Sequence, residues 1–356
     1  MSSRRSAERL PRYRTGDADL DQRIVELLDA VEVRHDRDQL FEILTSAVRL
    51  AGDDADRLDL KITNSALKEM RQAFKLFAPY RDVPKVTIFG SARTSPDDPL
   101  YEQTRALASM LAEMGWMVVT GAGPGIMAAG VEGAGPESSI GVNIRLPFEQ
   151  GVNAFLATDD KLVEMKYFFT RKLMLMKESA GFAVLPGGFG TLDEAFELLT
   201  LLQTGKAAPA PIVLLEVPQG TYWHAWHRFL VDEVLGRGLI SEHDFDLFRI
   251  TDDVGEACAA IVGFYANYHS IRFVGDVLVV RLRHAPDDAL LAKINEEFAD
   301  ICTEGAIERS EPRPAEVSTN DHVDLPRIAF HFDRLSYGRL RQLIDVLNGR
   351  AETATA

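Results

Sequence analysis

Phe182-Ala183-Val184-Leu185-Pro186-Gly187-Gly188-Phe189-Gly190-Thr191-Leu192-Asp193-Glu194 joins a short apolar run to a glycine-rich turn and the start of a helix. The run Phe182–Leu185 reads as a buried strand, stopped by Pro186. Leu192 to Leu202 reads as the helix that follows. Glycines at 187, 188 and 190 let backbone N–H groups approach a ligand closely. The helix start adds unpaired donors and partial positive charge, which together favour a phosphate. A second role is open for the acid. Thr191-Leu192-Asp193-Glu194 has the Thr-x-x-Glu spacing of a capping box, in which Glu194 would accept from the Thr191 N–H. Such a cap is worth about 1 kcal/mol and needs no chemistry. Spacing alone leaves both roles standing.

The same texture extends on both sides. Val86-Thr87-Ile88-Phe89 is an apolar run ending at Gly90-Ser91, and a helical stretch follows over Leu100–Met114. Trp116-Met117-Val118-Val119-Thr120 ends at the turn Gly121-Ala122-Gly123-Pro124-Gly125, and Pro124 to Ala134 reads as a helix start. Ile140–Ile144 is a strand, Glu164–Glu178 a helix, and Ile212–Leu215 a strand, with helices near 221–236 and 252–268. Short apolar strands separated by helices imply a doubly wound, Rossmann-like α/β fold with a parallel sheet covered on both faces. Ligands bind such sheets outside the carboxyl ends of the strands. Three strands run directly into glycine turns, so all three turns are expected on one edge of the sheet.

The flanks differ. Residues 1–80 read as a helical extension, with a helix over roughly 37–50. Another, over 59–78, has Asp59 as its expected cap and Leu60, Leu67, Met70, Phe74 and Phe77 at mostly helical spacing. Residues 81–268 hold the α/β region. Residues 271–349 form a small α+β region, with strands at 277–282 and 327–332 and helices at 286–301 and 335–347. The polar stretch 308–324 reads as a loop.

Several functions are disfavoured. The chain of 356 residues carries 39 basic and 54 acidic side chains, a formal charge of −15, which argues against broad binding to nucleic acid. Cys258 and Cys302 form no C-x-x-C pattern, which suits a reduced, cytoplasmic setting. No apolar run approaches the ~20 residues of a membrane span. The basic start MSSRRSAERLPRYR lacks the apolar core of a secretory signal. The turn 121–125 is neither the dinucleotide G-x-G-x-x-G nor a Walker loop, and about twenty residues on stand Gly141, Asn143 and Arg145 rather than an acid. His224 and His227 lie three apart, but the sequence offers no third metal ligand, so no metal is expected.

Thr170-Arg171-Lys172, followed by Pro186-Gly187-Gly188-Phe189-Gly190-Thr191-Leu192-Asp193-Glu194, resembles the LOG family of nucleoside 5′-monophosphate phosphoribohydrolases. That family includes cytokinin-activating enzymes, and many members were long labelled lysine decarboxylases. The signature is an Arg-Lys pair, then P-G-G-x-G-T-x-x-E. Arg171 and Glu194 match its catalytic arginine and glutamate at the family's separation of 23 residues. The resemblance covers roughly residues 84–265. Gly121 to Met127 (GAGPGIM) departs from the G-G-G-x-x-G-L-M of short plant-type members. Ala122 and Pro124 are more similar to the longer bacterial nucleotide nucleosidases.

The resemblance implies hydrolysis of the N-glycosidic bond of AMP or of a cytokinin riboside monophosphate, giving free base and ribose 5-phosphate. Arg171 and Glu194 would be catalytic. Gly90, Ser91, Gly121, Gly123, Gly125, Met127, Lys172, Gly187, Gly188, Gly190 and Thr191 would contact substrate. No cofactor is implied, and a homo-oligomer, dimer or larger, is expected. The decarboxylase label predicts pyridoxal phosphate and a Schiff-base lysine, for which the sequence has no independent motif. The alternative is a non-catalytic nucleotide-binding sensor that uses the same pocket.

Overall fold

Residues 11–33, 35–145 and 160–349 are described by the computed structural model; the basic stretch 1–10 lies outside them. The chain divides into two compact units, Met1–Lys68 and Glu69–Ala356.

In the first unit, α1 (Ala18–Ala30) and α2 (Arg37–Arg49) close on Ile24, Leu28 and Phe41. The helix α3 (Arg57–Phe77) begins in this unit. Its cap is Asp56, whose carboxylate accepts from the N–H groups of Leu58 and Asp59 at 2.6 and 2.8 Å. The expected cap, Asp59, is already inside the helix. Leu60, Leu67 and Phe74, part of the apolar stripe read from the sequence, stay exposed, while Ala66, Ala73 and Phe77 are buried. Counting bulky residues therefore picked a partly wrong face, because the buried one is built largely from alanine.

The second unit holds β1 (Lys85–Phe89), α4 (Pro99–Glu113), β2 (Met117–Thr120), α5 (Ile126–Ala134), β3 (Ser139–Ile144), β4 (Leu162–Met165), α6 (Phe168–Lys177) and β5 (Gly181–Val184). Then follow α7 (Phe189–Gln203), β6 (Ile212–Leu215), α8 (Tyr222–Phe229), β7 (Phe248–Thr251) and α9 (Val254–Gly263). The sheet is parallel throughout, in the order β4-β3-β2-β1-β5-β6-β7. The chain winds outward from β1 to β4, returns to β5 on the other side of β1, and winds outward again. The doubly wound α/β fold is therefore present, and the winding reverses between β1 and β5. That reversal opens the crevice where such sheets bind ligands.

Successive strand residues serve opposite faces. Phe89, Val119, Val142 and Val184 pack with Met174, Leu198 and Trp223 on one side. Ile88, Val118, Ala183 and Val213 pack with Leu107, Ile126 and Ile261 on the other. Both edge strands escaped the sequence reading. Glu164 and Met165 end β4 rather than begin a helix, and α6 starts only at Phe168. Edge strands pair on one side only and need no continuous apolar run.

The chain goes on to β8 (Tyr268–Val274), β9 (Val277–Leu282), α10 (Asp288–Glu297), β10 (Cys302–Arg309), α11 (Pro314–Val317), β11 (Arg327–Phe332) and α12 (Tyr337–Leu347). These strands form an antiparallel sheet, β10-β11-β9-β8. The helix expected to reach 268 stops at Gly263, and residues 308–309 and 314–317 are ordered as strand and helix rather than loop. Buried Arg281 and Arg327 both bind the Glu316 carboxylate at 2.7 Å, which ties α11 to the sheet.

Candidate active site

The turns after β1, β2 and β5 meet at one edge because their strands are neighbours. They lock together through backbone. The Ile126 N–H donates to the Ser91 carbonyl at 3.0 Å. Gly125 has φ +65°, and a Cβ there would overlap the Ser91 carbonyl and lie 2.7 Å from the Ala92 carbonyl carbon. A methyl on Gly187 would overlap the Thr191 hydroxyl and sit 3.1 Å from the Ser91 nitrogen. Gly90 packs on Ile126, and Gly123 on the Met127 side chain. Ala122, fully buried, holds φ +55°, and its N–H donates to the Thr120 hydroxyl at 3.1 Å.

Arg171 projects from α6 into this edge. Its Nε donates to the Val142 carbonyl of β3 at 3.0 Å. The guanidinium lies where a Gly121 side chain would be, so glycine at 121 makes room for it. Arg171 Nη1 stands 3.9 Å from Glu194 Oε1, and the two side chains are only 11% and 10% exposed. Burial raises the Glu194 carboxyl above its ordinary value, and the attraction of Arg171 and Lys172 offsets only part of that. Lys172 faces elsewhere. Its ammonium binds Asp193 at 2.6 Å and Glu197 at 2.7 Å, clamping α6 onto α7. Burial works against that charge, but the two acids outweigh it and the pKa lies above the ordinary lysine value.

The helix start settles the capping question. Gly188 caps α7 with no side-chain bond, and the Leu192 N–H donates to the Gly188 carbonyl at 3.1 Å. Thr191 is thus the third residue of the helix and cannot be its cap residue. Glu194 lies one turn in, its Oε2 about 4 Å from where a Gly190 Cβ would stand. The first-turn N–H groups of Phe189, Gly190 and Thr191 have no partner inside the helix.

The profile of a family described as "Possible lysine decarboxylase" matches residues 124–261. A cytokinin riboside 5′-monophosphate phosphoribohydrolase of Mycobacterium tuberculosis is 29% identical over 165 residues, 45% of this chain and 84% of that one. Its counterpart in Mycobacterium marinum is 27% identical over 174 residues, 48% of this chain and 88% of that one. The profile and both relatives fall on the central region, which is similar to the LOG family. Among solved structures, the molybdenum cofactor carrier protein of Chlamydomonas reinhardtii is 21% identical, covering 50% of this chain and 95% of its own, with a TM-score of 0.35. DNA processing protein A of Streptococcus pneumoniae is 10% identical, covering 70% and 95%, with a TM-score of 0.37.

The older decarboxylase description of the LOG family implies pyridoxal phosphate on a lysine, and that needs an amine able to lose its proton. Lys172, the lysine of the LOG signature, does not fit, because two carboxylates hold it charged. Burial lowers the pKa of Lys85, but Lys85 opens β1 at the end of the strand opposite the glycine turns.

Three contributors lie outside the signature. Glu216 follows β6 at the same sheet edge; it is buried and accepts from the Tyr222 and Trp223 N–H groups at 2.8 and 3.2 Å. Tyr222 donates its hydroxyl to the Gly187 carbonyl at 2.7 Å. Buried Glu69 accepts from the Thr170 hydroxyl at 2.7 Å, fixing the residue before Arg171. The only available signal was position: Glu216 ends a strand just as the glycine turns do.

Proposed function

We propose that the chain hydrolyses the N-glycosidic bond of a nucleoside 5′-monophosphate, AMP or a cytokinin riboside monophosphate, to free base and ribose 5-phosphate. The observation that carries this reading is the buried Arg171–Glu194 pair beside three glycine turns at one sheet edge. Breaking the C1′–N bond sends its electron pair to the base and leaves positive charge on the ribose, as in glycoside hydrolysis. The Glu194 carboxylate would stabilise that charge and take a proton from the water whose oxygen bonds to C1′, while the departing base nitrogen takes up a proton from solvent and Glu194 later returns its own to solvent. Arg171, held by the Val142 carbonyl, would orient the substrate beside it. The glycine turns and the N-terminus of α7 would hold the 5′-phosphate. Two cysteines without a pairing pattern suit a reduced, cytoplasmic setting.

Product analysis with AMP, the other nucleoside monophosphates and isopentenyl-AMP tests the reading. Release of free base and ribose 5-phosphate in equal amounts is expected from at least one. Binding without release from any of them would leave a nucleotide sensor in its place.

A homo-oligomer belongs to the same proposal. Phe168 and Phe169 on α6 are 53% and 55% exposed, and Leu173 lies exposed beside them, an apolar patch suited to a second copy. Phe169→Asp is expected to lower the mass measured by light scattering to that of a monomer. An unchanged mass would remove this face from the assembly.

A further inference from the structure

Tyr222 belongs to none of the glycine turns, yet its side chain ends on one of them. Its backbone N–H is fixed by buried Glu216 at 2.8 Å, and its ring meets Trp223 edge-on at 4.8 Å. Trp223 is fully buried and donates its indole N–H to the Leu215 carbonyl at 3.2 Å. The phenol is therefore held at its root and along its ring. Its hydroxyl donates to the Gly187 carbonyl at 2.7 Å. Burial pushes the phenol pKa up, and the group remains a donor at neutral pH.

A trans peptide unit is planar, so its C=O and N–H point in opposite directions. With the Gly187 carbonyl held toward Tyr222, the N–H of Gly188 points away from it. A Cβ on Gly188 would meet nothing within 4 Å, so that residue borders open space. Gly188 is also the residue that caps α7. We propose that Tyr222 is a positioning residue that, through the Gly187 carbonyl, aims the Gly188 N–H at the phosphate of the nucleotide. This rests on the nucleotide reading above.

The test compares the full-length wild type with Tyr222→Phe, which keeps the ring and removes only the hydroxyl. Steady-state kinetics with AMP, or with whichever monophosphate proves to be the substrate, are read beside calorimetric binding of ribose 5-phosphate and of the nucleoside without its phosphate. KM and the ribose 5-phosphate Kd should rise roughly threefold to tenfold, the worth of one ordinary hydrogen bond. Both kcat and nucleoside affinity should stay within about twofold, since neither involves that donor. Equal loss of phosphorylated and unphosphorylated ligands, or no loss of either, overturns the proposal alone. A wild type that binds no monophosphate overturns the nucleotide reading and the proposal with it.

Discussion

Glu194→Gln is expected to lower turnover roughly a hundredfold to ten-thousandfold, the usual contribution of a positioned acid or base, while nucleotide binding is kept and thermal stability does not fall. The stability half follows from the sign of the pKa shift. Burial raises the Glu194 carboxyl above its ordinary value, with the attraction of Arg171 already counted. The folded state therefore holds this proton more tightly than the unfolded state. Stability is lost as pH rises from the ordinary glutamate value through the raised one, and above that window the ionised carboxylate is kept at a net cost. Glutamine has the same shape and no charge, so it removes the cost. Melting curves at neutral pH should place the variant at or above the wild type, and the two should converge in acid. The same shift puts the acid limb of kcat/KM above the ordinary glutamate value, because Glu194 must be ionised to act. Wild-type turnover in the variant, with a lowered melting temperature, would reduce Glu194 to a structural residue.

The legibility of this site follows from where its information lies. β1 and β5 were readable because both of their faces are buried, which forces continuous apolar runs such as Val86–Phe89 and Phe182–Leu185. The edge strands β4 and β7 lack that constraint and were missed. The glycine turns could be placed on one edge because parallel strands share a direction. The capping box was a false alternative for a specific reason: the true cap, Gly188, has no side chain and leaves no capping signal in the sequence. The setting of Arg171 could not be read because its anchor is a backbone carbonyl, Val142, three strands away from the helix start it faces. Tyr222 was hidden likewise, since the Gly187 carbonyl it binds carries no residue-specific signature.

Gly125→Ala should destabilise the fold by about 2–6 kcal/mol, the sum of backbone strain and overlap in a packed region. Gly125 has φ +65° and ψ −131°, a conformation that a residue with a Cβ adopts only under strain. The added methyl would also overlap the Ser91 carbonyl, which accepts from Ile126. Both obstacles are backbone, so no side-chain rotation relieves them. Either the turn after β1 or the start of α5 must shift, and both border the crevice at β1. Against a total stability of about 5–15 kcal/mol, this is enough to show as a large fall in denaturation midpoint. Gly188→Ala is the matched control. Its φ of −87° suits any residue and nothing lies within 4 Å of the new methyl, so its stability should stay within about 0.5 kcal/mol of wild type. Equal midpoints for the two variants would mean that the first two turns do not interlock through Gly125, and the crevice would lose the backbone contact that holds it in shape.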